Sequence, residues 1–165
     1  KINLSTHADP SILDEAAVEG ENQEHIVLSN KRFMSSLYIS SNFQPTFKDA
    51  NDKLSAHKVI SIELNIKVPE QKIIYLKSDI AQVTGLGSYK KLSLELNSGN
   101  CLVTEFSGDA VINTIEGHIE LKTDFANVSA NSKHGDIKTE KLTLGDDTIS
   151  LNSIHGNITV LKSQE

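Results

Sequence analysis

Asn113-Thr114-Ile115-Glu116-Gly117-His118-Ile119 returns as Asn131-Ser132-Lys133-His134-Gly135-Asp136-Ile137, and again as Asn152-Ser153-Ile154-His155-Gly156-Asn157-Ile158. Thr104-Glu105-Phe106 likewise returns as Thr123-Asp124-Phe125. The period is about 18–21 residues, and a fixed period is read before any single motif. A shorter rhythm runs inside it. Glycines stand at 99, 108 and 117, Ala126 takes the next place, and glycines follow at 135, 145 and 156. The residue after each place is Asn100, Asp109, His118, Asn127, Asp136, Asp146 or Asn157. Glycine supplies the positive φ of a tight turn, and Asx side chains tolerate it. Two and four places past the turn stand Cys101 and Val103, Ala110 and Ile112, Ile119 and Leu121, Val128 and Ala130, Ile158 and Val160. That is the period of a strand with one buried face. Each unit is a turn followed by a short strand.

Alternate units match better than neighbours, so the true repeat holds two strands. A coil in which each turn lies on the last explains this, with like residues stacked about 4.8 Å apart. The expected fold is all-β: a single-stranded, right-handed parallel β-solenoid (β-helix or β-roll) over about residues 70–162, with an irregular β N-terminal region. An antiparallel β-meander or sandwich is the alternative. It explains the glycines but not why every second unit matches. The core predicted from the rhythm is Cys101, Val103, Ile112, Ile119, Leu121, Val128, Ile137, Ile158 and Val160.

Upstream, Ile60, Ile62, Leu64, Ile66 and Val68 alternate with polar residues from Val59 until Pro69 stops the strand. Ile26-Val27-Leu28 and Leu37-Tyr38-Ile39 flank a polar stretch, as in a hairpin. Residues 11–19 fit either a helix opened by Asp9-Pro10 or a strand. The chain reads as one domain, 1–165: an irregular β part over 1–56 that covers or extends one end, and a lead-in strand with the repeats over 57–165. Its 165 residues match the usual size of one domain.

Composition narrows the function. The 17 Ile, 9 Val and 10 Thr favour strands, and the 19 Ser and 13 Asn favour turns. Net charge is -6, and Arg32 is the only arginine among sixteen basic residues. Nucleic-acid binding, which leans on basic surface and arginine forks, is excluded on that ground. No run approaches the ~18 apolar residues of a membrane-spanning helix. Cys101 is the single cysteine, so no internal disulfide forms. The chain starts at Lys1-Ile2-Asn3 without an initiator Met, and a removed signal peptide would leave no trace.

The Gly-Asx-apolar-x-apolar string, with an Asn-Thr or Asn-Ser corner before the glycine, resembles the bacterial putative-adhesin domain family of unknown function. Members carry repeated S-G-D-I and T-x-x-G-D-I units on a β-helix or β-roll. The resemblance covers about residues 58–162. It implies an exported protein, periplasmic or on the cell surface, with a lipid anchor in the full-length precursor as one form. It brings no catalytic residues with it. The expected function is a non-enzymatic envelope domain, a structural or adhesin-like interaction module. A carbohydrate-active enzyme on a β-helix scaffold and an extracytoplasmic sensing domain are the alternatives. An envelope protein or a glycan is the partner class that suits a repetitive surface.

Candidate chemistry is sparse, and no catalytic residue, cofactor or cofactor-binding residue is expected. Glu116, His134 and His155 share one place, just before the glycine. Stacked at strand spacing, two imidazoles and a carboxylate form a candidate zinc column, with water in the fourth position. A solvated corner that accepts any polar residue is the preferred explanation, because the spacing is set by the repeat and not by ligand geometry, and no metal is expected. Asp109, Asp136, Asp146 and Asp147 follow turn glycines, but the paired glycines of calcium-binding rolls are missing. Glu95, Glu105, Glu116 and Glu120 offer carboxylates for glycoside hydrolysis, without an aromatic platform beside them. Phe106 and Phe125 recur at one repeat position and are expected to stack. Cys101 occupies a core place rather than that of a nucleophile. Asn113, Asn131 and Asn152 are expected to form an amide ladder that satisfies the corner backbone.

Overall fold

The computed structural model describes residues 1–20, 26–33, 36–43 and 60–163. Val59 of the lead-in strand and residues 44–56 of the N-terminal part lie outside the described residues. Every regular element among the described residues is a strand. The fold is all-β, a mixed arrangement in which most strands are parallel. Among the described residues no helix is long and apolar enough to cross a membrane.

The chain divides into two compact units, Lys1–Glu15 with Leu64–Glu165, and Ala16–Glu63. The second holds the antiparallel pair β3 (Ile26–Phe33) and β4 (Ser36–Phe43), in the order the apolar runs predict. The Ser29 and Ser40 hydroxyls meet across it at 2.8 Å. β2 (Leu13–Gly20) crosses the boundary, so within residues 11–19 the stretch from Leu13 on is strand rather than helix.

In the first unit two ladders of parallel strands carry the core. One runs through Leu64–Pro69 of β5 (Ile60–Pro69), β1 (Ile2–His7), the first half of β7 (Val83–Ser98), the first half of β8 (Cys101–Glu116), β9 (Ile119–Thr123), β13 (Ile158–Lys162) and β11 (Ile137–Thr139). The other runs through β6 (Ile73–Ile80), the second halves of β7 and β8, β12 (Asp147–His155) and β10 (Ala126–Ser132). Inward residues of both ladders form one apolar cluster. Ile112 stands opposite Leu151, and Ile158 opposite Ile119, all buried.

The strands do not follow chain order. β12 and β13 sit between β8–β9 and β10–β11, and β1 sits between β5 and β7. The expectation that each turn lies on the last is corrected here, and the physical reason is legible. The inserted pair brings Ile149, Leu151, Ile158 and Val160, all fully buried. The terminal pair brings Val128, Ala130, Ile137 and Thr139. Placing the more apolar pair inside removes more apolar area from water. Two predicted core residues change accordingly. Ile137 is 43% exposed on the terminal strand, and Val128 is half-buried.

The turns explain the glycines. Gly99 has φ +129, and a Cβ there would strike the Ala81 carbonyl oxygen. Gly117 packs in the same way on the Gly99 carbonyl, and Gly156 on that of Gly117. The residue after the glycine supplies an acceptor to the next level. His118 N–H donates to Asn100 Oδ1, Asn157 N–H to His118 Nδ1, and Asp136 N–H to Asn157 Oδ1, each at 2.9 Å. Asx at these turns therefore does more than tolerate φ: it satisfies a backbone N–H across the stack. His118 serves because its Nδ1 is an acceptor of similar reach.

Candidate functional site

Glu116, His155 and His134 do form a column, with His155 in the middle. His155 pairs in register with Glu116, and His134 N–H bonds the Ile154 carbonyl at 3.0 Å. The two imidazoles stack face to face, centroids 4.7 Å apart and planes 13° from parallel. Their nitrogen lone pairs lie in the ring planes, so they point side by side and do not converge on a tetrahedral centre. Among the described residues no group of three or more His, Cys, Asp or Glu is placed to hold a metal ion.

The other candidates are engaged in structure. Burial pushes the Cys101 thiol up to about 12, so it stays protonated and unreactive in the fold. Asp109 Oδ1 accepts the Thr148 N–H at 2.9 Å, and Asp147 Oδ2 accepts the Gly108 N–H at 2.7 Å. Glu95 and Glu116 belong to the second ladder, Glu120 to the first, and Glu105 stands at a bend with φ +48. Phe106 is buried and stacks on Tyr89, not on Phe125, which is exposed. The expected Phe106–Phe125 stack fails because a register shift after Val103 sets Phe106 opposite Thr123. Thr123 Oγ1 then donates to the Phe106 carbonyl at 2.8 Å inside the core.

Among the described residues a groove of about 550 Å³ lies on the outward side of the second ladder. Strand alternation builds it. Lys77, Glu95, Asn113, Asn152 and Asn131 succeed one another across β6, β7, β8, β12 and β10. Two residues further along the same strands stand Asn97, Ile115, Ile154 and Lys133, on the same face. The amide ladder forms in part: Asn152 Nδ2 donates to Asn113 Oδ1 at 2.9 Å and to Ser150 Oγ at 3.3 Å. The Asn131 side chain and Asn113 Nδ2 have no hydrogen-bond partner among the described residues. Lys77 and Glu95 pair at 3.8 Å. Glu95 also accepts from the Tyr75 hydroxyl, which raises the phenol above its ordinary value. Asn97 Nδ2 donates to Asp79 Oδ1 at 2.9 Å. The repeat locates the asparagines in the sequence; nothing there shows that Lys77 and Glu95 continue their column.

No family model and no curated protein matches this sequence. Among solved structures, the chain is similar to one described as a "putative cell adhesion protein" from Clostridium sporogenes, with a TM-score of 0.61 and 14% identity over 98% of this chain and 89% of that one. At that identity the likeness is one of fold alone.

Proposed function

We propose that the protein is a non-enzymatic, exported interaction module of a bacterial cell envelope, adhesin-like in kind, built on a right-handed parallel β-solenoid. The two parallel ladders joined through β7 and β8 support the solenoid, and right-handed crossovers are the rule for parallel connections. The observation that carries the function is the groove. There outward residues of five strands align, and the Asn131 carboxamide and Asn113 Nδ2 keep hydrogen-bonding capacity free among the described residues. The candidate reactive groups point the same way: the cysteine is a buried thiol, the histidines stack, and Asp109 and Asp147 hold turns. The adhesion named for the Clostridium structure agrees with this reading. The test is retention of the purified protein, coupled to beads, on isolated bacterial envelopes and on their polysaccharide fractions. Saturable retention supports the module. Polysaccharide turnover that disappears in Glu95→Gln or Glu116→Gln refutes it in favour of the enzyme.

A further inference from the structure

Resting on that reading, we propose that the groove of the second ladder binds a neutral, hydroxyl-rich glycan chain lying along the stack. Its dimensions ask for a polymer. From Lys77 to Asn131 there are four strand steps, about 19 Å at ~4.8 Å each. Its charge asks for a neutral one. Lys77 and Glu95 offset each other, and the middle of the column is three amides. Lys133 at the far end is the one lining cation without an ion pair among the described residues.

The free hydrogen-bonding capacity is of the amide kind. Asn113 Nδ2 and the whole Asn131 carboxamide face the groove unpartnered among the described residues, and Asn152 Oδ1 keeps its lone pairs. An amide offers both a donor and an acceptor, which is what a hydroxyl needs. Ile115 and Ile154, 45% and 40% exposed, lie beside the amides. They give the C–H face of a sugar ring an apolar seat, as binding clefts combine apolar area with a few placed polar groups. Competing occupants fit less well. An extended peptide would add along an open strand edge, β6 or β10, whereas the middle of the groove lies over β7, β8 and β12, which are paired on both sides. Nucleic acid is disfavoured by a net charge of -6 and a single arginine. A membrane surface needs a broad apolar face with a basic rim, and two isoleucines do not make one.

The experiment titrates the isotope-labelled protein with cellohexaose, chitohexaose and maltohexaose, and with polygalacturonate as a charged control. At least one neutral hexasaccharide should shift the side-chain amide signals of Asn113, Asn131 and Asn152 saturably. Asn131→Ala should weaken that binding about fivefold, the worth of roughly one hydrogen bond, with an unchanged melt because its amide holds nothing in the fold. Lys138→Ala on the first ladder should leave binding intact. Three results overturn the proposal: no shifts with any neutral hexasaccharide at millimolar concentration; binding of polygalacturonate alone, abolished by salt or by Lys133→Ala; or saturable shifts that map outside the groove. Envelope retention that is unchanged in Asn131→Ala overturns the glycan site while the interaction module stands. Loss of retention by the parent protein removes both.

Discussion

Ile158 and Ile137 are equivalent in the repeat and unequal in the stack, and a pair of alanine substitutions separates the two descriptions. Ile158 is 0% exposed between Ile119 and Ile137, while Ile137 is 43% exposed on the terminal strand. Ile→Ala removes about three methylene equivalents, worth roughly 2.4 kcal/mol at full burial, and leaves a cavity that raises the cost towards the ~2–5 kcal/mol range. At Ile137 about half of that transfer remains, near 1 kcal/mol, and no cavity forms because solvent fills the space. For a chain of this size each kcal/mol moves Tm by roughly 2–4 °C. Ile158→Ala should therefore lower Tm by about 5–15 °C, and Ile137→Ala by less than about 4 °C. Thermal and urea unfolding followed by circular dichroism measure both, with equal m-values showing that the same surface is exposed. A stack in chain order would put Ile137 inside, between Ile119 and Ile158. Equal losses, or a larger loss for Ile137→Ala, refute the inserted arrangement.

Gly117→Ala drives a methyl into the Gly99 carbonyl oxygen and should cost about 3 kcal/mol or more, read as lost soluble yield or a large drop in Tm; Gly85→Ala, which meets only Val103 methyls at 3.3 Å, should cost about 1 kcal/mol or less. His118→Ala removes the acceptor of the Asn157 N–H and should cost about 1 kcal/mol by urea unfolding, whereas His118→Asn, which restores an Asx oxygen, should recover most of it. Cys101 has a folded value raised from 9.0 to about 12, so its contribution to stability is complete below pH 9 and is lost as pH rises towards 12. Cys101→Val should flatten the fall in stability over that window, and the parent thiol should resist an aromatic disulfide reagent at pH 8 until denaturant is added; rapid labelling of the native protein refutes its burial.

The levels of the fold were legible unequally. Turn, strand and core alternation follow from the glycine rhythm because a two-residue period and a positive-φ turn are local facts, and Cys101, Val103, Ile112, Ile119, Leu121, Ile158 and Val160 are buried as that rhythm requires. Ile149 and Leu151 escape it. Gly145-Asp146-Asp147 adds two residues, so the inward positions fall four and six places past the glycine, and Asp147 rather than Asp146 stands at the turn. The order of the strands escapes it too, because similar repeats fit one another's slots and the summed apolarity of each pair favours which goes inside. In the groove, the asparagine column is visible in the repeat. Its continuation through Glu95 and Lys77 depends on the β6–β7–β8 register, which the glycine pattern does not reach.

The inserted position of β12 and β13 bears on how the chain is made. Residues 126–139 leave the ribosome before 147–162, so their native neighbours do not yet exist when they emerge. The vacant surface available to them is β8 and β9, the surface that β12 and β13 later occupy. Docking there is a detour that the last-made turn must reverse, and the first-made strand β1 waits in the same way for β5, about sixty residues on at Leu64, and for β7, about eighty residues on at Val83. A chain cut after Thr139 consequently lacks an interior layer and not an end.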